Sequence, residues 1–259
     1  LRETEYDKVI VKLFEKVYRE DQDRIEFTKD QLIDICSEID IPIKNIPDIL
    51  YTYRSRSDLP ESITRTGNWI LQGLGKGKYA FLKLRRSPHV DIPQDLEVVQ
   101  VPDSTPEIVL KYCGTDEQSV LTKVRYNRLI DTFLSLTAYH LQGHLRTSLD
   151  GIGQVEIDEL YVAIDTDGHQ YVIPVEAKGP DPREKLGVAQ IGWLIAFANQ
   201  RYPRLMAKPV AVKSSEDGSI FLLEFNTAAD LNDIRTVSYR RYSLFHEEER
   251  TAVQAKLPV

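Results

Sequence analysis

Apolar residues at Val9, Ile10, Leu13, Phe14 and Val17 recur at three- and four-residue intervals, which predicts an amphipathic helix from Tyr6 to Arg19. Arg24-Ile-Glu-Phe-Thr28 alternates polar and apolar positions and reads as a short strand. Thr28 is placed to cap a second helix through Leu32, Ile33 and Cys36, since its hydroxyl oxygen can accept from an unpaired N–H of the first turn. Ile41-Pro-Ile-Lys-Asn45 breaks the chain before a third helix carrying Ile46, Ile49 and Leu50. Trp69-Ile-Leu-Gln-Gly and Lys78-Tyr-Ala-Phe-Leu-Lys-Leu84, joined by Leu-Gly-Lys-Gly, predict a hairpin with a glycine-rich tip.

Further along, Thr115-Asp-Glu-Gln118 reads as a capping box opening a helix through Leu121, Val124, Ile130 and Phe133. Tyr139 to Arg146 alternates, placing His140, Gln142, His144 and Arg146 on one face of a strand. Two runs rich in Val, Ile and Tyr follow, Val155–Ile164 and Tyr171–Lys178. The Asp165-Thr-Asp-Gly168 segment between them suits a tight hairpin turn, so the two strands should be antiparallel neighbours. A helix from Leu186 to Gln200 and strands at Lys208–Lys213 and Ser219–Glu224 complete an α/β pattern. Thr236–Phe245 reads as an edge strand, a DNA contact or a dimer surface, and the rest of 226–259 carries no clear pattern.

The stretch from Ser87 to Pro106, with Pro88, Pro93, Pro102 and Pro106, is the natural linker. It divides the 259 residues into 1–86, a linker 87–106, and 107–259, and a hydrophobic fraction of 42% is enough for two modest cores. Cys36 and Cys113 carry no disulfide signature, no apolar run is long enough to span a bilayer, and no signal peptide is visible. These features predict a cytoplasmic protein without a membrane partner. The net charge of −7 works mildly against nonspecific binding of nucleic acid. Its distribution is uneven, however. Leu1–Tyr53 holds 8 Lys or Arg against 13 Asp or Glu, whereas Arg54–Arg86 holds 8 against 2.

The hairpin carries the chemistry. Alternation puts Glu176 and Lys178 on one face of the second strand, and Glu156 and Asp158 together on one face of the first. Charges inside apolar strands are costly unless they are paired or hold a cation, and Lys178 alone cannot satisfy three carboxylates. Magnesium is commonly held by one or two carboxylates plus waters and phosphate oxygens, which makes Asp158 and Glu176 sufficient protein ligands. Glu156 is a rival ligand. Lys178 is then placed to orient or deprotonate the attacking water and to steady the phosphate.

Asp158, seventeen intervening residues and Glu176-Ala-Lys178 resemble the PD-(D/E)XK nuclease superfamily, with Ile157 where the name has Pro. The order helix, three strands, helix, strand over about 115–225 is similar to that superfamily's core. The resemblance implies a restriction-endonuclease-like mixed sheet flanked by helices, Mg2+ with Mn2+ able to substitute, and Asp158, Glu176 and Lys178 as the catalytic set. It also implies an assisting role for Gln190, whose alternative is a half-buried amide satisfying a backbone group. Glu117 and Asp131 are two candidates for an additional helix carboxylate. His140, His144 and Arg146 are placed to contact phosphate or line the cleft, and no Cys or third His makes a zinc site.

The first third resembles a winged helix-turn-helix domain, a small α+β module that reads DNA with its third helix and hairpin tip. The expected contacts are Tyr51, Tyr53, Arg54, Arg56, Lys76 and Lys78. The function so implied is a type II restriction-like endonuclease acting on double-stranded DNA as a homodimer. The alternatives are a structure-specific repair or recombination nuclease and a winged-helix regulator without turnover.

Overall fold

Thr4 and Asp7 start the first helix reciprocally: the Thr4 hydroxyl accepts from the Asp7 N–H at 3.1 Å, and the Asp7 carboxylate accepts from the Thr4 N–H at 2.7 Å. The computed structural model describes residues 4–42, 45–93 and 95–245. The described residues fall into two compact units, one drawn from the described part of 1–89 with 146–155 and 187–190, the other from the described part of 90–145, 156–186 and 191–245.

In the first unit α1 (Glu5–Val17) buries Val9, Ile10, Leu13 and Phe14, the stripe its spacing predicts. After β1 (Arg24–Thr28), Thr28 caps α2 (Lys29–Glu38) in a second capping box with Gln31. α3 (Ile46–Tyr51) runs directly into a π-helical turn, Thr52–Arg56, and a short α4 (Glu61–Thr64) follows. Neither the turn nor α4 leaves a hydrophobic period long enough to read. β2 (Asn68–Gly75) and β3 (Lys78–Leu84) form the expected hairpin, and β1 adds to β3, giving an antiparallel sheet ordered β1-β3-β2. Phe14 packs edge-on against Trp69 and Phe81, with ring centroids 5.4 and 5.0 Å apart, which ties α1 to both hairpin strands.

The second unit is built on an eight-stranded mixed sheet flanked by helices. Its strands are β4 (Val98–Pro102), β5 (Thr137–Leu149), β6 (Gly153–Ile164), β7 (Gln170–Lys178), β8 (Met206–Ala207), β9 (Val210–Ser214), β10 (Ile220–Phe225) and β11 (Thr236–Phe245). The order is β4-β11-β10-β9-β7-β6-β5, with β8 beside β7. β7 runs antiparallel to β6 but parallel to β8 and β9. The helices are α5 (Glu107–Tyr112), α6 (Glu117–Tyr126), α7 (Leu129–Leu134) and α8 (Val188–Arg201). Leu121 and Val124 of α6 and Leu129 and Ile130 of α7 share a core with Val175 and Val212 of the sheet. α8 is buried nearly all round as far as Ala198, so its predicted one-sided stripe is too narrow.

Several sequence expectations change. Residues 98–102, inside the expected linker, form β4, because β11 offers them a parallel edge. β11 pairs with β10 along Thr236–Tyr242 and with β4 along Arg241–Phe245, so the second half of the expected edge strand is covered by β4. Residues 246–259 lie outside the described residues. Asp116, not Thr115, caps α6, accepting from the Ser119 N–H at 3.1 Å. The single helix expected there is two, broken where Arg128 turns left-handed at φ 49°. The buried Asn127 amide stabilises the break by donating to Asp103 Oδ1 at 3.0 Å and Thr105 Oγ1 at 3.1 Å. Finally, His144 has φ 48° in the middle of β5, and this shifts the alternation. Ala138 is buried before it, whereas Leu145 and Thr147 are half-buried and Leu149 buried after it. His140 and His144 therefore fall on opposite faces, contrary to a straight reading of the pattern.

Both cysteines are free. No helix among the described residues is long and apolar enough to cross a membrane.

Candidate active site

The β6–β7 ladder runs from Ile164 opposite Gln170 to Glu159 opposite Val175. At the next step along, the Ala177 N–H donates to Asp158 Oδ2 at 2.7 Å. A carboxylate thus bonds the β7 backbone just past the end of the paired ladder. The other edge of β7 stays zipped to β9, with Glu176 opposite Ala211 and Lys178 opposite Lys213. That pairing fixes the backbone on which Glu176 and Lys178 are mounted.

Lys178 is the hub. Its ammonium donates to Glu176 Oε1 at 2.8 Å, to Glu117 Oε1 at 3.2 Å and to the Ala177 carbonyl at 3.0 Å. Glu117 arrives on the first turn of α6, where the positive end of the helix favours a carboxylate. Of the two helix carboxylates open in the sequence, Glu117 is in this cluster. Asp131 instead accepts from Arg128 at 2.5 Å and from the Ala138 N–H at 3.0 Å.

Burial makes the cluster electrostatically uneasy. Glu176, 5% exposed, is pushed up to about 8, first by desolvation and then by the charge of Asp158, with Lys178 only partly offsetting both. Asp158 and Glu117 also rise, again chiefly through burial. Burial works against the Lys178 ammonium, but Glu176 and Glu117 outweigh it and hold the group above its ordinary value. The hub sets the Lys178 ammonium beside one buried carboxylate, Glu176, and two half-buried ones, Asp158 and Glu117. The donor set is all oxygen, the kind a hard divalent cation takes, and Asp158 and Glu176 meet the one-or-two-carboxylate requirement of Mg2+.

Glu156 has His144 Nδ1 3.9 Å from its Oε1, and its charge is among those that raise the Asp158 carboxyl. Gln190 uses its amide oxygen at the start of its own helix, accepting from the Gly187 N–H at 3.2 Å. Among the described residues, Asp165, Asp167 and His169 have ligand atoms that all lie within 4.8 Å of one another. Their closeness follows from the β6–β7 turn, where Asp165 accepts from the Asp167 and His169 N–H groups and the Tyr171 hydroxyl, each at 2.9 Å. Desolvation opposes this carboxylate, but those bonds bring it down to about 2.

Two groups of residues give no motif signal. On the opposite face of β6, Glu159 is 1% exposed and accepts from Arg125 of α6 and from the Tyr161 hydroxyl, and His140 packs edge-on against Tyr161. Beside Lys178, Lys213 and Glu184 engage the loop that leaves β7. The only sequence trace of Lys213 is a cation on the next strand, and its register with Lys178 depends on the sheet order.

In the first unit, Tyr53 is buried and its hydroxyl donates to Asp7 Oδ1 at 2.7 Å. Arg54 is half-buried and points its guanidinium at the carbonyls of Ile152 and Gln154, at 3.5 and 3.4 Å. Arg56 is exposed and lies over the Tyr51 ring, 4.6 Å from its centroid. Lys76 and Lys78 are exposed at the hairpin tip, with Lys76 at φ 52°. In the second unit's strand β5, His144 is exposed; Arg146, further along that strand and grouped with the first unit, is exposed too.

No protein-family model, curated protein or solved structure matches this chain.

Proposed function

We propose that the chain is a metal-dependent endodeoxyribonuclease of the PD-(D/E)XK kind, with a restriction-endonuclease-like catalytic unit and a winged-helix-like unit that engages double-stranded DNA. The observation that carries this reading is the Lys178 ammonium held between Glu176 and Glu117, beside an Asp158 carboxylate anchored on the Ala177 N–H. An ordinary structural ion pair needs one carboxylate per cation, whereas this lysine pairs with two and has a third close by.

Asp158 and Glu176 would hold the metal ion. When bound, Mg2+ supplies charge neutralisation at the phosphate and a more acidic water. Lys178 is better suited to orienting that water and stabilising the negative phosphate than to removing a proton, because its acidic neighbours keep it charged. Glu117 steadies Lys178 from α6. Cutting both strands at a symmetric site needs two such centres, so a homodimer is part of the proposal.

A structure-specific nuclease is a second reading, favoured by the burial of Tyr53 and the carbonyl contacts of Arg54. The exposed Arg56, Lys76 and Lys78 are long cations suited to phosphate, which positions DNA without reading its bases. The test is incubation with diverse duplex, branched and flapped DNA, with and without Mg2+ or Mn2+, alongside Lys178→Ala. Discrete duplex fragments that need metal and Lys178 support the restriction-like reading, and cleavage only of branched substrates supports the second. DNA that is bound but never cut would leave a regulator.

A further inference from the structure

Lys178 and Lys213 face each other across the parallel β7–β9 pair. Two like charges in register repel, and placing both on a half-buried sheet has to be offset by other contacts. Lys213 turns its ammonium onto the chain that leaves β7, donating to the Gly179 carbonyl at 2.5 Å and the Asp181 carbonyl at 2.8 Å. The Gly179 N–H is held from the other side by Glu184 Oε2 at 3.0 Å. Both polar groups of this one peptide residue are therefore gripped by side chains. A Cβ on Gly179 would stand 3.1 Å from Glu184 Oε2 and 3.7 Å from the Glu117 backbone nitrogen, so Gly179 is pressed close to the start of α6. Glu117, which holds Lys178, sits at that helix start.

We propose that Lys213 is a positioning residue for Lys178: with Glu184 it clamps Gly179 against the first turn of α6 and so sets the Glu117–Lys178 contact. Its consequence for catalysis rests on the nuclease reading above, but the clamp itself does not. Loss of the clamp frees the end of β7, and a lysine displaced by about 1 Å loses rate far more than affinity.

Three variants test it: Lys213→Met, which keeps length but loses the charge and donors, Lys213→Arg, which keeps both, and Glu184→Ala, which removes the other jaw. The readouts are Gly179 amide hydrogen exchange, the Lys178 side-chain ammonium resonance, and steady-state cleavage with Mg2+. Lys213→Met should speed Gly179 exchange, shift the Lys178 resonance and lower kcat by about tenfold while KM stays within about twofold. Lys213→Arg should restore all three. Gly179 and Lys178 signals left at their wild-type values in folded Lys213→Met overturn the clamp, and moved signals with an unchanged kcat overturn its positioning role. If Lys213→Met does not fold, Glu184→Ala decides by the same criteria. If the wild-type chain cuts no DNA while the signals move, the nuclease reading fails and the clamp stands.

Discussion

Glu117 and Lys178 are 61 positions apart in the chain and 3.2 Å apart at the candidate site. One opens a helix and the other ends a strand, and neither could be paired without the packing of α6 on the sheet. The contact gives Lys178 a second acidic partner that the hairpin alone does not supply.

Removing these groups should cost rate in a graded way. On the proposed nuclease reading Glu176→Ala removes a metal carboxylate, and losing several kcal/mol of charge stabilisation should lower kcat by at least about 100-fold. Glu117→Gln keeps a hydrogen-bonding oxygen but loses the charge, so a drop of about tenfold is expected. Single-turnover cleavage with DNA affinity measured in parallel checks both. Wild-type rates in Glu176→Ala would sink the assignment.

If the proposed metal binding is right, Mg2+ should stabilise the fold through the same carboxylates. A ligand at about 100 times its Kd adds about 2.7 kcal/mol, so Mg2+ should raise Tm in the wild type and have little effect on Glu176→Ala. Equal shifts in both proteins, followed by calorimetry, would place the metal elsewhere.

Arg125 and Glu159 form a part-buried pair whose acid is 1% exposed. Arg125→Met strands a buried carboxylate and should destabilise by about 3 kcal/mol, the low end for such pairs because Arg125 is itself partly solvated. The double variant Arg125→Met, Glu159→Met should regain most of that. Urea titrations of the three proteins test it, and an additive double variant would contradict it.

Asp7 predicts a pH dependence. Burial pushes its carboxyl up, but the Thr4 N–H and the Tyr53 hydroxyl outweigh this and leave it below the ordinary value of 3.8. A lowered acid stabilises the fold fully above its unfolded pKa and loses that contribution as pH falls through the folded value. Asp7→Asn should therefore cost about 1 kcal/mol at pH 7, with the gap from wild type closing as the solution is acidified below pH 4. A gap that stays constant down to acid pH would show that the carboxylate charge is irrelevant.

The proposed DNA contact makes a prediction for the exposed Arg56 and Lys76. Each, replaced by Ala, should weaken binding about equally on all sequences and reduce the salt slope by about 1. Binding isotherms at several salt concentrations on two unrelated duplexes check this. Loss confined to one sequence would indicate base reading instead.

Much of this architecture was legible from the chain alone, because side-chain alternation and capping are local. The β6–β7 hairpin, the α1 stripe and the Thr28 cap follow from neighbours within a few residues, and so does the shared face of Glu176 and Lys178. The sequence misplaced the α6 cap by one residue and merged α6 with α7, since nothing local announces that Asn127 will bond to Asp103 and Thr105. It put His140 and His144 on one face because a positive φ at His144 cannot be read from alternation. It left Glu117 and Asp131 equal, and it passed over Lys213 and Glu159. Those assignments depend on which strand lies beside β7 and which helix turn meets its end. Only the tertiary structure decides that, because contacts between residues distant in the chain are set by how whole elements pack.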